Sequence, residues 1–257
     1  MSILERGRDL RIHYRLDGEH GPLLLLFNGA GLPLTFWGSL ATRLAQYCRV
    51  LRFDQRNAGR TEFEGNFSLL DTAADAARLL DHLQFEEALL VGHAWGGRAA
   101  QVFARDYPHR TRAMVLCGTG GRFAPSNTGD GLKRLSDARR AQDRAAWERA
   151  LEAQFCAPGF SARCPQVFQQ LADAAWQKPL ARGRWQADIA PTESFWGLSQ
   201  ARSLLLYGRH DKNGTPENAM DLKRRLDARL VMYEDAGHFV IREKEDEVLE
   251  EILAFAT

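Results

Sequence analysis

The sequence holds little of what marks a special environment. Four cysteines in 257 residues, Cys48, Cys117, Cys156 and Cys164, include no C-x-x-C pair, which argues against a disulfide framework or a thiolate metal site. Reduced thiols in a cytoplasm are the expectation, and the first nine residues lack the apolar core of a signal peptide. No apolar run is longer than Leu23 to Phe27, which falls far short of the ~20 residues that cross a bilayer. Neither sign of charge dominates: 34 basic and 33 acidic side chains leave +1, so nothing draws the chain toward nucleic acid or an anionic membrane. No metal-ligand spacing, phosphate loop or G-x-G-x-x-G fingerprint is present. No metal or cofactor is therefore expected.

What is there reads as one globular unit with an insertion. With 45% hydrophobic and 26% charged residues, the chain can bury roughly three-quarters of its unfolded surface and needs no covalent staple. Residues 10–16 alternate with period two and meet Asp17-Gly18, the pattern of a half-exposed antiparallel strand. Leu23 to Phe27 is apolar throughout, as a strand covered on both faces must be. Similar short strands are expected at 49–53, 88–91, 113–117, 203–207 and 230–233. Helices are expected near 34–46, 69–83, 95–106, 216–226 and 243–255. This alternation implies a mostly parallel α/β sheet with helices on both faces. From Arg122 to about Gln200 no strand pattern occurs. The segment 122–200 is expected to be a helical cap inserted into a core made of 1–121 and 201–257.

The segment Ala88-Leu89-Leu90-Val91-Gly92-His93-Ala94-Trp95-Gly96-Gly97 is a buried strand, a glycine-bracketed turn and a helix start. Small residues there let strand and helix approach closely around a strained central position. In this the chain resembles the α/β-hydrolase superfamily, whose nucleophile elbow reads G-x-S-x-G, and it is similar to small-molecule members such as enol-lactonases and meta-cleavage-product hydrolases. Four other segments match in order: Asn28-Gly29-Ala30-Gly31 at the oxyanion loop, Asp54-Gln55-Arg56-Asn57-Ala58-Gly59 at a structural turn, Asp211 after a strand, and His238 before the last helix. The likeness covers roughly residues 10–120 and 200–257. It implies an eight-stranded sheet, Asp211 and His238 as acid and histidine of a triad, and an oxyanion hole made by the amides of Ala30 and Trp95. Asn28, Gly29, Trp37, Trp196 and Phe239 are the candidate substrate contacts. His93 is expected to pack rather than act as a base.

The departure is at Ala94, where the family carries serine. Three readings follow. The chain is a serine-type hydrolase of a small carboxylic ester or lactone whose nucleophile has been replaced. Alternatively, His238 and Asp211 work as a general base without a nucleophile, as in C–C hydrolase, lyase or cofactor-free oxygenase relatives. The third reading is a non-catalytic ligand-binding module. A hydrophobic or aromatic small molecule suits the cap aromatics Phe155, Phe160, Phe168, Trp176 and Phe195. Arg122, Arg182 and Arg184 are expected at the surface, and Trp185 either in the core or at a pocket wall. A homodimer is compatible with the sequence.

Overall fold

The computed structural model describes residues 2–6, 10–63, 65–123, 128–176 and 192–256. Eight strands form one sheet: β1 (Ser2–Arg6), β2 (Leu10–Asp17), β3 (Leu23–Phe27), β4 (Arg49–Phe53), β5 (Ala88–His93), β6 (Thr111–Cys117), β7 (Ser203–Gly208) and β8 (Arg229–Tyr233). Their order is β1-β2-β4-β3-β5-β6-β7-β8. The pairs β1–β2 and β2–β4 are antiparallel and all others parallel. The edge strand β1 carries no distinctive pattern and was not among the expected strands.

Strand β3 shows why an unbroken apolar run was required. Leu24 and Leu26 join Val50, Val91, Val115, Leu204 and Leu206 on one face of the sheet. Leu23, Leu25 and Phe27 join Leu51, Phe53, Leu90, Leu116 and Leu205 on the other. Period-two geometry sends alternate residues to opposite faces, so a strand buried twice over has no position left for a polar side chain.

Helices α1 (Gly38–Leu44), α2 (Leu69–His82) and α3 (Trp95–Asp106) precede four helices inserted between β6 and β7 in the segment expected to form a cap, and called the cap below: α4 (Thr128–Arg140), α5 (Arg144–Phe155), α6 (Phe160–Arg163) and α7 (Pro165–Trp176). The chain then returns to the core through α8 (Pro216–Leu226), α9 (Val240–Glu243) and α10 (Glu245–Ala256). Local chemistry sets the starts. Ser68 and Asp71 form a reciprocal capping box at α2, and Thr215 with Pro216 opens α8. The single helix expected near 34–46 is instead a 3₁₀ turn at Leu34–Trp37 followed by α1, because Gly38 breaks the path with φ +53°.

One further observation concerns the end of the insertion. Phe195 and Trp196 are buried with α3 and α8 on the core, where the Trp196 indole donates to Asp221 Oδ2 at 2.8 Å. The Gly197 amide donates to Gln101 on α3 at 3.0 Å. Residues 195–197 thus pack with the core rather than with the cap helices. Arg182, Arg184 and Trp185 lie outside the described residues. The turn read as structural is so: the Asp54 carboxylate accepts from the amides of Leu34 and Arg60 and pairs with His13 at 2.6 Å. Asn57 there takes φ +57°, an angle its short polar side chain tolerates.

Candidate active site

Ends of parallel strands gather the candidate residues on one edge. Strand β3 has β4 on one side and β5 on the other, so the chain departs in opposite directions at their carboxyl ends. Asn28 to Ala30 follow β3, and Ala94 follows β5.

Ala94 sits at the strand-to-helix turn with φ +52° and ψ −115°. A non-glycine residue held there costs about 1–3 kcal/mol, which the surroundings must offset. The surroundings do so by close approach. A Cβ on Gly92 would meet Gly97 Cα at 2.5 Å, and one on Gly96 would run into the carbonyls of Phe27 and Asn28. The Ala94 amide donates to Cys117 O at 2.9 Å, tying the turn to the end of β6.

Asp211 and His238 are brought together. His238 Nδ1 lies 3.0 and 2.9 Å from the two Asp211 oxygens, and both residues are buried. Asp211 Oδ1 also accepts the amides of Asn213 and Gly214 at 2.7 and 2.8 Å. An ionised carboxylate can only accept, so Nδ1 carries the proton and Nε2 is left as a lone-pair acceptor. The His238 amide donates to Phe155 O at 2.6 Å, and the Phe155 ring lies 5.5 Å from the imidazole. A cap helix therefore sets the height of the histidine loop.

The link from this pair to the elbow is His93. Its Nε2 lies 2.9 Å from the His238 carbonyl, an obligate acceptor, and the two rings are 5.0 Å apart. His93 is fully buried, and burial first, then the charge of His238, pushes its pKa down to about 3. It stays neutral and holds the elbow against the histidine loop, consistent with packing rather than proton transfer.

Asn28 is wholly buried with its amide committed: Nδ2 donates to Leu32 O and Phe53 O, and Oδ1 accepts the Trp37 indole at 2.6 Å. It shapes the loop carrying Gly29 and Ala30. A Cβ on Gly29 would stand 2.8 Å from His93 Nδ1, so that loop and the elbow touch. Ala30 and Ala94 are only partly buried. Trp95 opens α3, where amide protons lack helical acceptors.

Trp37, Trp196 and Phe239, expected as ligand contacts, expose 0%, 1% and 4% of their surface, and Asn28 and Gly29 are buried as well. The two tryptophans use their indole N–H on Asn28 and Asp221, while Phe239 packs on Phe36, His93 and Phe155. Among the cap aromatics Phe160, Phe168 and Phe195 are core residues, and Trp176 stacks on Trp147. Arg122 is exposed, as expected.

One group the sequence did not flag is Glu243. Its Oε2 accepts the Ala157 amide of the cap at 2.7 Å, while Oε1 is buried without a hydrogen bond. Burial pushes this carboxyl up to about 7, against the pull of the Ala157 and Gly237 amides. Its place five residues after His238 was the available signal. Among the described residues no His/Cys/Asp/Glu cluster could hold a metal ion, and no helix is long and apolar enough to cross a membrane.

A family model for the alpha/beta hydrolase fold matches residues 22–245. The 2-hydroxy-6-oxo-2,4-heptadienoate hydrolase of Pseudomonas putida is 26% identical over 252 residues, covering 93% of this chain and 89% of that one. The 2-hydroxy-6-oxo-6-phenylhexa-2,4-dienoate hydrolase of Comamonas testosteroni is also 26% identical, over 93% and 88%. In fold, the enol-lactonase of Burkholderia xenovorans LB400 superimposes with a TM-score of 0.78 at 24% identity, over 96% of each chain. The match to the family model spans more than half the chain: it belongs to the alpha/beta hydrolase fold family.

Proposed function

We propose that the chain hydrolyses a small carboxylic ester or lactone by general-base attack of water, with His238 as the base and Asp211 orienting it, and with no covalent intermediate. The observation that carries this reading is a buried His238–Asp211 pair beside an elbow whose side chain is a methyl group. Nε2 takes a proton from water as the oxygen attacks the substrate carbonyl. Asp211 keeps the ring in the useful tautomer and balances the imidazolium. The amides of Ala30 and Trp95 receive the negative oxygen of the tetrahedral intermediate. The second stands at a helix start, where partial positive charge gathers. The imidazolium then returns its proton to the departing alkoxide, giving acid and alcohol.

Two observations favour other readings. The elbow retains its backbone strain, which suits a position built to present a nucleophile. The Pseudomonas putida and Comamonas testosteroni relatives are by name hydrolases of 2-hydroxy-6-oxo dienoates, so a C–C bond next to a ketone is a second substrate class. One substitution separates serine chemistry from direct water attack. In a serine protease, losing the nucleophile costs ~10⁶ in turnover. If the site is built for serine, Ala94→Ser should raise hydrolysis of p-nitrophenyl acetate and dihydrocoumarin by orders of magnitude and leave an acyl adduct in the intact-protein mass. General-base attack predicts little gain, no adduct, and loss of activity in His238→Ala. Ligand binding indifferent to both changes would instead support the non-catalytic module.

A further inference from the structure

A second polar site lies on the far side of Phe36 from the His238 pair. A cleft of about 400 Å³ opens between the 3₁₀ turn, α1, α7 and α9, and Thr35, Gly38, Ser39, Thr42, Gln170 and Arg242 line it with Phe36. The Phe36 ring stands 5.0 Å from His93 and 5.6 Å from Phe239, so a layer of aromatic rings separates the cleft from His238.

Arg242 is the unusual member. It exposes only 3% of its surface, yet its Nε and Nη1 have no hydrogen-bond partner. Nη2 donates to Gln170 on the cap helix α7 at 2.9 Å. The one carboxylate paired with it among the described residues, Glu245, sits 3.4 Å from Nη1. That carboxylate is already engaged, since its other oxygen accepts the Ser39 hydroxyl at 2.5 Å and Arg43 lies 3.5 Å away. Gly38 makes room for this arrangement, because a Cβ there would occupy the guanidinium's place. A buried guanidinium with unused donors, facing three hydroxyl groups, is the chemistry of oxyanion recognition.

We infer that this cleft binds a small oxyanion, a carboxylate or a phosphate, on the Arg242 guanidinium, with the hydroxyls of Thr35 and Thr42 as further donors. Gln170 is exposed and holds Nη2, so its rotation opens the guanidinium to the cleft. The bound anion would then join the 3₁₀ turn, through Thr35, to α1 and α9. The site is independent of any chemistry at His238.

The test is thermal unfolding of the full chain, titrated separately with potassium phosphate and potassium acetate, with ionic strength held constant by potassium chloride. The expected result is a saturable rise in Tm for at least one anion. A stronger response to phosphate points to a phosphorylated ligand, and a stronger one to acetate to a carboxylate; either supports the site. Arg242→Met should weaken the response at least about tenfold, since charge-assisted hydrogen bonds contribute at least that much. Gln170→Ala, at an exposed position that does not endanger folding, should change the apparent affinity several-fold. The response should persist in His238→Ala, which excludes binding at the other site. No saturable rise with either anion overturns the proposal. So does a response unaffected by Gln170→Ala, or one lost in His238→Ala.

Discussion

At the scale of single residues, two carboxyls near one histidine have opposite duties. Asp211 accepts from Nδ1 and from two turn amides, which fixes the ring. Asp211→Asn would present an amide that favours the wrong tautomer; in a serine protease such a change costs ~10⁴ in turnover. A loss of ~10² or more is expected here, read as kcat on an activated ester with the fold checked by circular dichroism. Glu243 acts on stability instead. Its folded-state pKa of about 7 stands above the ordinary 4.5, so the unfolded chain ionises first as pH rises. The stabilisation is complete below pH about 4.5 and is lost as pH climbs through about 7. Glu243→Gln mimics the neutral carboxyl and should remove that fall from urea-unfolding free energies measured between the two values. An unchanged slope would show that another group titrates.

At the scale of elements, the strand–turn–helix around Ala94 was the most legible part of the sequence. Gly92, Gly96 and Gly97 stand where a side chain would collide with neighbouring backbone or with Thr119. Gly96→Ala should therefore cost about 1–3 kcal/mol through overpacking, measured by chemical denaturation. A neutral result would mean that α3 can slide away from β3. Pairing of Asp211 with His238 was also readable, because each follows a strand on the same sheet edge. The aromatic contacts were not. Trp37, Trp196 and Phe239 have the residue type of a pocket wall, but whether a ring faces a cavity or a core depends on partners such as Asn28 and Asp221, distant in sequence. The same holds at the end of the insertion: nothing local says that Phe195 and Trp196 pack on α3 and α8. Glu243 depends on long-range burial, which periodicity does not report.

At the scale of the whole molecule, cap and core share one apolar body. Trp147, Leu151, Phe168 and Leu171 of the cap belong to the same buried cluster as Leu24, Val91 and Leu206 of the sheet. Polar straps reinforce it, with Lys212 Nζ donating to Ala153 O at 2.6 Å and Gln154 to Asn213 at 3.2 Å. Both straps reach the loop that carries Asp211, so loosening the cap disturbs the acid as well as the histidine. Cap and core should consequently unfold together, with near-ultraviolet and far-ultraviolet circular dichroism giving coincident transitions. Two separated transitions would mean that the cap melts alone.

The proposed function rests on His238 as the proton acceptor in water attack. The most direct measurement is kcat/KM on p-nitrophenyl acetate across pH for the unaltered chain and for His238→Ala. The account predicts an activity that falls by ~10² to 10⁴ in the variant. Equal rates in the two proteins at every pH would contradict it.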